Sequence, residues 1–268
     1  MNRRELLAGS IAAALSACDR RSGAANVDAA PAVNNFLHAT TYIDTGHPAI
    51  TDVVGKVTRA DADARTNAIA LFAFVRALPF GFATGFWDNK ASDVLRAGRG
   101  YCNTKSTLFI ALLRAAAIPA RQQFVEIDAA ILHGILDPGT ALVDHSYVEV
   151  LIESDWVATD AYIVDPRLFA SARRRLAAER RLLGYSAHAT GSNDWDGVSP
   201  SFSQYNFIDP RPIGVKRWGI FEDVGDFYAR VGDAHNRLNP FLRAGVGLIT
   251  APANRRTEAL RLMVAPAE

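Results

Sequence analysis

The sequence predicts an α+β fold in which one buried helix packs on an antiparallel sheet, with additional helices toward the C-terminus. Three observations predict it. Asn103 to Ala117 places Leu108, Ala111, Leu112 and Ala115 on one face and contains no Gly or Pro, the pattern of a helix set against a core. Gln122 to Asp128 and Ser146 to Ile152 then read as strands, and Trp156 to Asp160 as a third after the polar turn Glu153-Ser154-Asp155. The chain of 268 residues, 49% hydrophobic and 21% charged, is long and apolar enough to bury a core of its own, and one main domain is expected.

The N-terminus stands apart from that fold. Met1-Asn2-Arg3-Arg4 precedes a short apolar run from Leu6 to Leu15 and then Leu15-Ser16-Ala17-Cys18, the layout of a secretory signal. The run is too short for the roughly 20 residues of a spanning helix. Leu-Ser-Ala-Cys resembles a bacterial lipobox, which implies cleavage before Cys18 and lipidation of that cysteine. Arg3-Arg4 also resembles a twin-arginine signal, and Asp19 resembles the residue that retains such lipoproteins in the inner membrane. The expected organisation is a signal peptide at 1–17, a lipidated tether at 18–32, a domain at 33–183 with its core at about 64–166, and an extension at 184–268 packed on the same domain.

Within the mature chain, Ala64 to Ala77 carries Ile69, Phe72 and Val75 at helical spacing and ends before Pro79. Phe80, Phe82, Phe86 and Trp87 follow, interleaved with Gly81 and Gly85, and are expected to cover the core, with the lining of a substrate groove as the alternative. Asp93 to Arg96 reads as a short helix leading into Gly98-Arg99-Gly100, where two glycines permit a sharp turn. Pro119 stops the buried helix. Ile131 to Leu142, with His133, Gly134, Pro138 and Gly139, reads as a surface loop bordering the cleft. Leu168 to Leu183 is helical in pattern, Tyr185 to Gly219 is loop-rich, and Val224 to Leu238 and Thr257 to Val264 are expected helices.

Charge and cysteine usage narrow the function classes. Lys plus Arg number 29 against 28 Asp plus Glu, which gives no electrostatic reason to expect nucleic acid. Arg173, Arg174, Arg175, Arg180 and Arg181 read as a solvated helix face. With only Cys18 and Cys102 present, neither a disulfide framework nor a multi-thiolate zinc site is available, and no metal or organic cofactor is implied.

Cys102 follows the Gly-rich turn and opens the buried helix, where unpaired backbone N–H groups and the helix dipole are expected to favour a thiolate. A nucleophilic thiol needs a base. His145 lies 43 residues on, at the start of the strand His145-Ser146-Tyr147-Val148-Glu149-Val150. Asp160, ending Trp156-Val157-Ala158-Thr159-Asp160, is the candidate to hold the imidazole, with Asp144 and Asp165 as nearby competitors. His38, His47, His133, His188 and His235 have no comparable setting. A two-residue turn at Ser154-Asp155 would pair Asp160 with Glu149, about four residues or roughly 13 Å from His145, and would require a bulge, a wider turn or strong twist.

Gly100-Tyr101-Cys102-Asn103, the helix through Leu112-Leu113-Arg114 and Ile118-Pro119-Ala120-Arg121 together resemble the nucleophile segment of the transglutaminase-like superfamily. The segments around His145 and Asp160 are similar to its histidine and aspartate segments. The resemblance spans about Ala64 to Pro166 and implies a papain-like core with a Cys102-His145-Asp160 triad. It further implies a cysteine-dependent acyl-transfer enzyme acting on peptide or protein amides, with a hydrolase of the envelope as the first expectation. A cross-linking transglutaminase and a non-catalytic peptide-binding lipoprotein are the alternatives. The Cys102 backbone N–H is one expected oxyanion donor; the second is unassigned, with Trp87 and Asn89 as guesses. The expected location is the periplasmic face of the inner membrane, through the lipid anchor.

Overall fold

The computed structural model describes residues 36–204, 216–231 and 240–263, the side chains of 240–249 excepted. The signal, the tether and Cys18 lie outside them, as does His235.

The centre of the molecule is α4 (Cys102–Ala115), from whose first thirteen residues every side chain is buried. Helix α1 (Pro48–Val57) packs Ile50 and Val53 inward, and α2 (Ala64–Ala77) packs Ala68, Leu71, Phe72 and Val75. Asp63 caps α2 by accepting from the Thr66 N–H at 2.7 Å, which supplies a partner for a backbone donor the helix itself cannot satisfy. The short α3 (Ala91–Ala97) ends on Gly98 in the left-handed conformation, φ 63°. At Gly100 a Cβ would come within 2.8 Å of Lys105 and Thr104 side-chain atoms, so the first turn of α4 can close against the chain only because that position is glycine. Both glycines before Cys102 thus have identifiable tasks.

One face of α4 lies on a four-stranded antiparallel sheet formed by β1 (Ala120–Asp128), β2 (Leu142–Ile152), β3 (Asp155–Thr159) and β6 (Arg217–Phe221) in the order β3-β2-β1-β6. The minor pair β4 (Leu183–Gly184) and β5 (Ala187–His188) lies outside it. Helices α5 (Pro166–Glu179), α6 (Val224–Arg230) and α7 (Pro240–Leu262) complete the described residues. The α+β architecture, a buried helix on an antiparallel sheet with C-terminal helices, is as expected.

Several boundaries differ. Strand β2 begins at Leu142, so His145 sits inside a strand and not at its start. Strand β6 lies in the stretch read as loop. Helix α6 ends at Arg230, and the segment expected near Thr257 belongs to the much longer α7. The turn after β2 comprises Glu153 and Ser154, because Ile152 pairs with Asp155 and Glu153 takes φ 57°. That shift of one position from Ser154-Asp155 removes the expected geometric difficulty. Val148 opposes Thr159, so the next residue, Asp160, comes level with Tyr147, on the same face as His145 and two residues away. No bulge is needed.

The five arginines of the α5 region are exposed. Arg173 folds back to donate to the Gly191 carbonyl at 2.8 Å, and Arg175 lies 3.6 Å from Glu179, consistent with a solvated face. No described helix is long and apolar enough to cross a membrane.

Candidate active site

The histidine and aspartate are brought together. His145 Nε2 lies 3.1 Å from Asp160 Oδ2, and both side chains are buried, 1% and 0% exposed. A carboxylate can only accept, so Nε2 carries the proton of this bond and a neutral imidazole presents its lone pair at Nδ1. Asp160 is itself held by its other oxygen, which accepts from the Ser203 backbone N–H, from Ser203 Oγ at 3.1 Å and from the Gln204 N–H at 3.3 Å.

The thiol stands next to this pair along β2. Strand β3 stops at Thr159, opposite Val148, and beyond it the backbone N–H of Ser146 turns to the Cys102 sulfur, as does that of Asn103. The thiol also donates to Asn103 Oδ1 at 3.6 Å. Among the described residues it makes no hydrogen bond to His145. The expectation that a helix start favours the thiolate is not met in this arrangement. Burial pushes the thiol up, the Asp144 carboxylate pushes it further, and the two backbone N–H groups do not offset them. Cys102 is thus a covered thiol whose ionisation this arrangement disfavours.

Asp144 and Asp165, the competing carboxylates, have other partners. Asp144 Oδ2 accepts from Asn103 Nδ2 at 2.8 Å and from the Tyr228 hydroxyl at 2.6 Å. Asp165 caps α5 and pairs with Arg261 at 2.7 Å; burial alone would raise its carboxyl, but the guanidinium outweighs it and holds the group below its ordinary value. Of the guessed oxyanion donors, Asn89 Nδ2 donates to the Phe86 carbonyl at 2.5 Å, and the Trp87 ring stacks on Tyr228 with centroids 4.4 Å apart. The aromatic loop is core, with Phe80, Phe82 and Trp87 buried.

Asn103, Ser146 and Tyr228 escaped the sequence reading. Asn103 is fully buried and links the thiol to Asp144 and Tyr228 on one side, and on the other accepts from Ser146 Oγ at 2.8 Å. The signal available for Asn103 was its place beside Cys102 in a polar run, Asn103 to Thr107, that opens an otherwise apolar helix. Tyr228 is 125 residues away from Asn103 and had no local signal. Among the described residues the buried Tyr101 hydroxyl has no partner at hydrogen-bond distance, although the Asn103 side chain lies close enough to favour its ionised form.

A cavity of about 650 Å³ opens beneath the 129–141 loop, bounded also by Arg181 and Arg256, and none of Cys102, His145 or Asp160 lines it. Among the described residues no group of three or more His, Cys, Asp or Glu side chains is placed to hold a metal ion.

A profile of the transglutaminase-like superfamily matches residues 51–161. Among solved structures, one from Cytophaga hutchinsonii, provisionally named a cysteine protease, is similar over 50% of this chain at 19% identity and a TM-score of 0.40. The likeness spans 43% of that protein's own length. No curated protein matches the chain. Residues 51–161 are thus similar to the transglutaminase-like superfamily.

Proposed function

We propose that this protein is a cysteine-dependent acyl-transfer enzyme acting on amide or peptide bonds, in the first instance as a hydrolase, with Cys102 as nucleophile, His145 as general base and Asp160 as its orienting partner. The observation that carries the reading is the buried 3.1 Å contact between His145 Nε2 and Asp160, one residue along β2 from the backbone N–H that meets the Cys102 sulfur. The thiol proton moves to His145 Nδ1 as the sulfur attacks the substrate carbonyl carbon. The C–N bond then breaks, the amine leaves with the proton from His145, and water attacks the thioester to release the acid and the free thiol.

The test is product analysis on peptide amides with a labelled primary amine present. Release of free acid without label supports hydrolysis; label in the product replaces it with transamidation. Cys102→Ala is expected to lower turnover at least about a thousandfold without loss of fold. Full cellular function in that variant would leave a peptide-binding role instead. We further propose that Cys18 is lipidated and that the enzyme works at the periplasmic face of the inner membrane. Radiolabelled fatty acid should enter the protein and be absent from Cys18→Ala; equal labelling of both would sink that proposal.

A further inference from the structure

Lys105 is one turn below Cys102 on α4 and is fully buried. Among the described residues its ammonium meets no carboxylate directly. Instead Nζ donates to three backbone carbonyls, those of Leu78 at 2.7 Å, Tyr162 at 2.9 Å and Ile163 at 2.9 Å. Three N–H donors meet three acceptors, which is the complement of an ammonium and more than a neutral amine can satisfy. Two charges act on it from further off, Asp165 on the cap of α5, which favours the ammonium, and Arg261 on α7, which disfavours it, and these are paired with each other.

Two of the three carbonyls belong to the turn that begins at Asp160. That turn is closed from within by the Ile163 N–H on the Asp160 carbonyl at 2.9 Å and by the Ala161 N–H on Thr159 Oγ1 at 3.1 Å. Lys105 grips its third and fourth residues from outside. The next residue of α4, Ser106, lies 2.6 Å from the Tyr162 hydroxyl and 3.3 Å from Ser146 Oγ, beside His145. One turn of the nucleophile's own helix therefore touches both elements that carry the other two members of the proposed triad.

We propose that Lys105 is a positioning residue that fixes Asp160 behind His145 by clamping the 160–163 turn to α4. This rests on the triad reading of the site, but its test needs no substrate. The readout is the ring N–H proton of His145 in 15N-histidine NMR of the full chain, assigned by its loss in His145→Gln. Asp160→Asn marks what a broken pair looks like.

Arg114 supplies the control for mere destabilisation. It is a second buried cation on α4, donating to the Ala120 carbonyl at 2.9 Å and the His38 carbonyl at 2.7 Å, at the end of the helix far from Cys102. Lys105→Met is expected to speed exchange of the His145 ring proton at least tenfold, toward the Asp160→Asn value, whereas Arg114→Met leaves it unchanged in the folded protein. If Lys105→Met does not fold, Lys105→Gln, which keeps two N–H donors without the charge, is expected to give an intermediate rate. A wild-type exchange rate in the folded Lys105 variant, or the same acceleration in Arg114→Met, overturns the proposal. Loss of the acyl-transfer reading through an active Cys102→Ala would leave this measurement untouched, so the two failures are distinguishable.

Discussion

Residues 51–161 and residues 162–263 contribute to the proposed site in different ways. The first region holds Cys102, His145 and Asp160, together with Asn103, Asp144 and Ser146 around the thiol. The second holds no member of the triad, yet Ser203 and Gln204 bind Asp160, Tyr228 binds Asp144 and Asn103, and Arg261 binds Asp165 and the Phe80 carbonyl. Asn254 further secures the aromatic loop by bonding both the N–H and the carbonyl of Phe82, at 2.8 and 2.9 Å. Reactive groups thus come from the matched domain, while the groups that desolvate and orient them come in large part from the chain that follows it. A profile confined to the first region describes the proposed chemistry without describing what keeps that chemistry in place.

The sharpest way to break this comparison is Arg261→Met. Arg261 and Asp165 are 7% and 6% exposed, so removing the guanidinium strands a buried carboxylate. The expected loss is about 3–5 kcal/mol of unfolding free energy in urea titration, with the thiol alkylation rate of the folded fraction unchanged. A loss below about 1 kcal/mol would show that the extension is dispensable for stability. Tyr228→Phe should cost less, about 2 kcal/mol, because it removes the hydrogen bond to the Asp144 carboxylate and the one accepted from Asn103, whose amide keeps Asp144, and leaves the ring stacked on Trp87. An unchanged urea midpoint would mean that Asp144 finds another donor.

The two regions also differed in how far the sequence revealed them. Helix α4 was visible because its apolar spacing is uninterrupted, and β1 to β3 because β-branched runs are bounded by Pro119 and a polar turn. By contrast α1 is rich in β-branched residues and contains Gly55, so its helical state owes more to Ile50 and Val53 packing inward than to propensity. Strand β6 carries Gly219 at φ 98° and reads as loop; pairing with β1 and the packing of Phe221 and Phe227 on Phe124 hold it. Asp160 was legible as the end of a strand, but Ser203 and Gln204, which hold it from more than forty residues away, were not. The thiol's state was misread for a related reason. A helix-start argument sees the dipole of one element and misses the burial of the sulfur and, after it, the Asp144 carboxylate that β2 brings to the same place.

Lys105 and Asp144 test the interior of the matched domain. Burial pulls the Lys105 ammonium down from 10.5 to about 7, so above neutrality the unfolded chain binds a proton that the folded chain has lost. Stability should therefore rise with pH, by about 2 kcal/mol between pH 7 and 8.5, a window below the ordinary thiol range. Lys105→Met is expected to flatten that rise in parallel urea titrations; an identical slope in both proteins would refute it. Asp144→Asn acts on the thiol instead. Burial is the larger cause of its raised value and persists, but the second cause is gone, so iodoacetamide alkylation of Cys102 at pH 8 should quicken about tenfold. An equal or slower rate would show that Asp144 matters for placing Asn103 and not for the charge beside the sulfur.

The smallest effect expected is at Tyr101, and its sign is the informative part. Tyr101 and Tyr228 are both buried near the thiol, yet the Tyr228 hydroxyl bonds Asp144 and Asn103, while among the described residues the Tyr101 hydroxyl has no partner at hydrogen-bond distance. The Tyr101 ring is secured regardless of its hydroxyl, stacked on Phe86 with centroids 5.0 Å apart and tilted against Phe82 at 5.2 Å. Removing an unsatisfied polar atom from such a site should stabilise the fold by about 1 kcal/mol, so Tyr101→Phe is expected to raise the urea midpoint that Tyr228→Phe lowers. A fall in stability would mean that the hydroxyl has a partner in the folded protein. A gain in stability accompanied by slower turnover would be the mark of a donor kept unpaired for the substrate, at the residue immediately before the nucleophile.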